Sequence, residues 1–454
     1  MRMAPGLLLM GLLASWLPAG DAGMVYLSGT PVEIGGRWGR INGRAIAHDM
    51  DVYFLAKAAA GGISKETLVE RSKEFVGIAG KIAPHWLDEA RAAARAAGVG
   101  EDLYIAFIAG VYRDLFMHEC TSYAVPRGHA AGHSIFFHKN RDNAPKAQAA
   151  FIMTSTVPGV NKFIAVSDAS AIGCMMMVNE KGLAGSADTG GLPVEEPRYR
   201  GMMNTFLLRH IAEKASDCEE ALGIIRDFLK KGYYAGGHKF GTHWLFVDKE
   251  GKILEISNNS SKLSHAYHEE KVYFSARKDG SAAARLRGAK EPVDFALFHS
   301  VSRDPSICLD SSISGMTVEI DPVRPETFTC AWITFPAHAA SFPLLMGGRG
   351  TPSPLVNGDA GRLAGELRGL DDLWSSIEGS VHLSKTLLLE RLSASWAQER
   401  KLAGERLDEW TSGQAAMVMN VLRALNGGSA SPPRGPLDRP ARATARPTRA
   451  IREN

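Results

Sequence analysis

The chain changes character at Cys120. Upstream, residues 65–97 and 101–116 carry Ala, Leu, Glu, Lys and Arg in helical spacing, interrupted at Pro84. Downstream come short β-like runs at 122–125, 134–137, 151–156, 162–167 and 173–179, separated by turns such as Pro126-Arg127-Gly128. Residues 204–230 are again helical and amphipathic. Residues 243–256 read as two strands around a turn at 248–251, 316–320 and 327–335 as late strands, and 360–425 as helix. Strands grouped apart from helices predict the α+β class, with sheets covered by helices rather than an alternating parallel sheet.

A chain of 454 residues, 45% hydrophobic and 22% charged, is globular and long enough to bury a core without staples. A net charge of +3 implies neither nucleic acid nor a polyanionic partner. Arg2 followed by the apolar residues 5–20 and the small, helix-breaking Pro18, Gly20 and Ala22 read as a secretory signal over residues 1–22. The alternative is an uncleaved anchor. Export predicts a periplasmic or secreted protein, with no integral membrane segment after signal removal. Five cysteines are too few for a disulfide framework, and an odd number leaves one thiol over. Cys308 and Cys330 are a possible pair. The tail 427–454 holds six Arg against one Asp and one Glu, with several Pro, and is expected to be disordered.

The chemistry-bearing stretch is residues 120–143, CTSYAVPRGHAAGHSIFFHKNRDN. Two antiparallel strands joined by the turn would return Asn140, Arg141 and Asp142 to the neighbourhood of Cys120. A thiol nucleophile needs a base, and no usual Cys/His spacing supplies one. If Cys120 becomes an N-terminus, its own α-amine, pKa about 7.7–8.0 when unperturbed, serves. Asp142 would orient that amine, and Lys139 or Arg141 would lower the thiol pKa.

Cys-Thr-Ser, a turn, and Asn-x-Asp after an apolar strand resemble the N-terminal-nucleophile (Ntn) cysteine hydrolases. Residues 29–39 (GTPVEIGGRWG), 179–183 (NEKGL) and 243–255 (HWLFVDKEGKILE) are similar to elements of one branch, the penicillin acyltransferase-like peptidase family C45. The resemblance implies a four-layer αββα fold with an N-terminal helical segment and extra C-terminal helices. It implies a precursor cut between Glu119 and Cys120 into a helical small subunit, 23–119, and a large subunit that stay associated. The core would span 120–359 and a helical extension 360–426. The sequence departs from the family at Glu119, where penicillin acyltransferase has Gly, and at His243, where the hairpin opens on Asn.

Cys120 is then the expected nucleophile and Asp142 the partner of its amine, a turn carboxylate being the alternative. Asn140, Arg141 and His243 are expected at the site, Asn140 and His243 as oxyanion donors. Asp188 and Thr189 fall where bile-salt hydrolases place a second oxyanion donor, and Arg285 is similar to a family active-site Arg. The resemblance implies cleavage of a C–N amide bond in an N-acyl small molecule or peptide, with no metal or organic cofactor. Acyl transfer to an amine, and a non-catalytic binding protein on a degenerate scaffold, are the alternatives.

Overall fold

The computed structural model describes residues 23–111, 120–194, 200–235, 240–290, 292–356, 358–365 and 369–425. Residues 1–22, Glu119 and the basic tail lie outside them. The strands are β1 Gly23–Gly29, β2 Thr121–Val125, β3 Ile135–Asp142, β4 Gln148–Ser155, β5 Phe163–Asp168, β6 Met176–Asn179 and β7 Ala184–Pro193. They continue with β8 Phe240–Val247, β9 Ile253–Asn258, β10 Leu263–His268, β11 Tyr273–Phe274, β12 Ser312–Ile320, β13 Cys330–Thr334 and β14 Ser341–Leu345.

Among the described residues they form two sheets. The first runs β1-β4-β5-β6-β7-β8-β9-β10 and the second β11-β2-β3-β12-β13-β14. Pairing is antiparallel except for β1 on β4. Central strands such as β4, β5 and β13 are buried on both sides because each sheet is covered on both faces. In β4, Ala150 and Ile152 enter the cluster between the sheets, while Ala149, Phe151 and Met153 enter the cluster beneath the first layer of helices. That period of two is the strand's own geometry. On the second sheet, Phe137 and Val318 are cross-strand partners, as are Tyr123 and His138. Tyr123 lies against Phe298, and Trp332 against Phe295, both on the helix Phe295–Ser300. The layers are therefore helix, sheet, sheet, helix, the αββα arrangement of the α+β class.

The first helical layer is built from the N-terminal helices and from Asn204–Lys214 and Cys218–Lys230. Helix Pro31–Asp49 starts at a capping box, Thr30 N donating to Glu33 Oε2 at 2.7 Å, with Pro31 in the first turn. The run 204–230 is two helices, not one. Asp217 accepts from Glu220 N at 2.9 Å and restarts the second.

The N-terminal segment is not wholly helical, since β1 adds a parallel edge strand to the first sheet. It is also tied to the rest by a buried ionic cluster. Arg209 reaches Glu89 at 2.7 Å and Glu213 at 2.8 Å, and His85 reaches Glu213 at 3.0 Å. A Cys308–Cys330 bridge is not present: all five cysteines are free. Residues 371–394 and 403–425 are long helices over the second sheet. Among the described residues, no helix is long and apolar enough to cross a membrane.

Candidate active site

β2 and β3 pair with Thr121 opposite Asn140 and Ser122 opposite Lys139, so the head of β2 meets the far end of β3 as the hairpin reading requires. Cys120 is buried, one residue before β2. Burial pushes its thiol pKa up. Lys139 opposes that, Asp188 reinforces it, and the nearby backbone of Asp142 favours the thiolate.

Alternation along β3 divides the candidates between two faces. Lys139 and Arg141 share the inter-sheet face with Ser122. Lys139 Nζ lies 2.6 Å from Asp188 Oδ1 and donates to the carbonyls of Ala187 at 2.7 Å and Met175 at 3.0 Å. Ser122 donates to Asp188 Oδ2 at 2.9 Å, and Ser275 donates to the same oxygen at 3.3 Å. Ser275 Oγ accepts from Ser122 N at 2.9 Å. Arg141 is held by Asp168 at 2.5 Å and Gln148 at 2.7 Å. Burial is the largest influence on Asp168 and raises it, yet Arg141, Lys146 and Gln148 together hold its carboxyl well below the ordinary range.

Asp142 takes the other face at the strand's end. Its Oδ1 accepts from Ser312 Oγ, and Arg277 lies 3.6 Å from its Oδ2. Arg277 has φ +55°, left-handed for a non-glycine residue. Such positions cluster where the surrounding structure needs a particular side chain.

Asn140 is not brought to the nucleophile's face. Its Nδ2 donates to the carbonyls of Ser302 at 2.7 Å and Ile307 at 3.1 Å, so the expected oxyanion role gives way to holding a loop. His243 is the cross-strand partner of Asp188, but its Nε2 is bound to Glu255 at 2.7 Å. Glu255 is held far below the ordinary range, first by that hydrogen bond and against burial. Thr189 is opposite Thr242 and alternates away from Asp188's face. Arg285 is about half exposed and paired with Asp304 at 3.5 Å and Ser300 at 3.3 Å, outside the Lys139–Asp188 cluster. Among the described residues, no group of three or more His, Cys, Asp or Glu is placed to hold a metal ion.

The structure adds Ser275, Arg277 and Ser312, which the sequence reading missed. Ser275 and Arg277 fall in YFSARKDG, a stretch with no motif, and meet the site only through β11 pairing with β2. Ser312 arrives through the β12–β3 register, opposite Asp142.

A buried thiol at the head of a central strand, with a carboxylate at the end of the neighbouring strand and a lysine on its own face, in an αββα sandwich, defines a class: a candidate Ntn-type nucleophile site. Residues 130–276 match the family model described as acyl-coenzyme A:6-aminopenicillanic acid acyl-transferase, which bears out the penicillin acyltransferase-like resemblance. No curated protein matches the chain at a significant level. Penicillin V acylase from Agrobacterium tumefaciens is similar at 13% identity and TM-score 0.36, over 50% of this chain and 86% of that one. An N-acylethanolamine-hydrolyzing acid amidase ortholog from Caenorhabditis elegans is similar at 12% and 0.32, over 46% and 94%. A conjugated bile acid hydrolase mutant from Clostridium perfringens is similar at 11% and 0.32, over 50% and 92%.

Proposed function

We propose that this chain is an exported, self-processing Ntn cysteine hydrolase that cleaves the C–N bond of an N-acyl amide, a small molecule or a peptide. The observation that carries the reading is Cys120, buried at the head of β2, with the β2–β3 register bringing the end of β3 and Asp142 back beside it. Cleavage between Glu119 and Cys120 frees the α-amine. That amine takes the thiol proton as sulfur bonds the acyl carbon. It returns the proton to the departing nitrogen as the C–N bond breaks. Water then adds to the thioester, releasing the acid and restoring the thiol. Asp142 holds the ammonium form of the amine between the two transfers. β1 in the first sheet and the cluster of His85, Glu89, Arg209 and Glu213 support a small subunit that stays bound after the cut.

Intact-mass measurement of the purified protein beside Cys120→Ala tests it. Two chains in the wild type, breaking at Glu119–Cys120, and one in the variant are expected, with amide hydrolysis in the wild type only. An uncut wild-type chain, or full activity in Cys120→Ala, would overturn it. Acyl transfer to an amine is the second reading, favoured by the activity in the matched family's name. Product analysis with and without added amine separates the two.

A further inference from the structure

Asn140 ends a buried polar chain that begins on the C-terminal helices. Because its Nδ2 donates to two carbonyls, its Oδ1 is left to accept, and takes His138 Nε2 at 2.8 Å. His138 Nδ1 is 2.7 Å from Thr317 Oγ1, which is 2.7 Å from His299 Nδ1. His299 Nε2 lies 3.1 Å from Ser341 Oγ and 3.3 Å from Glu378 Oε2. Burial keeps His138 neutral, with its pKa pushed down to about 3. A proton on Nε2 therefore leaves Nδ1 bare. Thr317 donates to it and accepts from His299 Nδ1, so the chain has one polarity.

Glu378 also grips the same loop directly. Its Oε1 accepts from Arg303 Nη2, and from Ser341 N and Oγ, each at 2.7 Å. Arg303 lies between the two carbonyls that Asn140 holds. The segment continues to Ser311, whose carbonyl accepts from Asn143 N at 2.9 Å, and to Ser312, whose hydroxyl donates to Asp142. Every member of the chain is buried.

We infer that Glu378, on the helix Asp371–Ala394, is a positioning residue. Through Arg303, and through His299, Thr317, His138 and Asn140, it sets segment 302–312 and with it the Asp142 carboxylate. The catalytic part of this inference rests on the function proposed above. The C-terminal helices are then part of the frame of the site rather than an appendage. A continuous buried network of this kind makes its members rigid, and one cut is felt along its length.

The test uses the full chain and two variants. Thr317→Val cuts the chain at its middle and leaves the Glu378–Arg303 pair in place. Glu378→Gln removes the anchor's charge. Amide hydrogen exchange in 302–312 is expected to rise about tenfold or more in each variant, while the first sheet keeps its protection. Turnover is expected to fall roughly 10–100-fold in kcat, as for a misplaced catalytic group, with KM within about twofold. Unchanged exchange in folded Thr317→Val would overturn the inference, whether or not Glu378→Gln folds. A wild type with no Cys120-dependent turnover would overturn the amidase reading, while the exchange result still decides whether Glu378 holds the segment.

Discussion

Lys139 Nζ lies 2.6 Å from Asp188 Oδ1 with both side chains buried, on the face of the second sheet that Ser122 shares. The cation that favours the thiolate is thus already countered, and Cys120 keeps a raised thiol pKa. Substitutions at the two ends should move that thiol in opposite directions. Lys139→Met removes the group that lowers it, and Asp188→Asn removes one that raises it. The pH dependence of Cys120 alkylation by iodoacetamide should shift up in the first and down in the second, each by on the order of one pH unit. Shifts of the same sign would show that the pair does not set the thiol. Breaking a buried pair costs about 3–5 kcal/mol, so thermal midpoints should fall in both.

Acid should loosen the C-terminal helices from the second sheet. Burial raises Glu319, but Lys385 and His382 overcome it and hold the carboxyl down to about 2. An unfolded Glu titrates near about 4.3. A depressed carboxylate contributes stability that is complete above the unfolded value and lost as pH falls through the folded one. Protection of helix Asp371–Ala394 in hydrogen exchange should therefore decline between about pH 4.3 and 2. In Lys385→Met the decline should begin at higher pH. Protection that holds flat to pH 2 in both proteins would exclude Glu319 as the group responsible.

How much of this was legible beforehand depends on distance along the chain. The β2–β3 hairpin, the return of Asp142 to Cys120 and the helical flanks could be read because each is local and periodic. β1 could not, since its partner β4 lies more than a hundred residues away and its edge pairing leaves no local mark. Asn140 was misassigned because neighbours in sequence point to opposite faces of a strand. Its motif says that it is near Cys120, not which way it points. Ser275, Arg277 and Ser312 are brought in by sheet register, which no short pattern encodes.

Gly35 and Gly39 of GGRWGRING serve packing. A Cβ at Gly35 would fall 2.1 Å from Glu89 O, and one at Gly39 2.2 Å from Ala93 O. Helix Pro31–Asp49 therefore touches the backbone of His85–Ala97 directly. Gly39→Ala must push the helices apart, at a cost of about 1–3 kcal/mol. Gly36, whose nearest neighbour is the tip of Arg40 at 3.3 Å, is the control. Chemical denaturation of the uncut Cys120→Ala background should show a lowered midpoint for Gly39→Ala and none for Gly36→Ala. Equal midpoints would mean that the two helices do not pack this closely.

Arg277 separates the demands of backbone and site. Its φ of +55° costs an L-residue roughly 1–2 kcal/mol that glycine does not bear. Its guanidinium lies 3.6 Å from Asp142 and donates to Ser306 O at 3.3 Å. Arg277→Ala keeps the strain and loses both contacts, whereas Arg277→Gly loses the contacts and relieves the strain. The glycine variant should be the more stable of the two by about 1 kcal/mol. Both should lose the same share of kcat, because stability does not restore a charge beside Asp142. Lysine returns that charge without the planar fork, so Arg277→Lys should recover part of the rate. If Arg277→Gly were as active as the wild type, the left-handed turn would be a feature of the loop, and the Arg277–Asp142 contact would have no part in turnover.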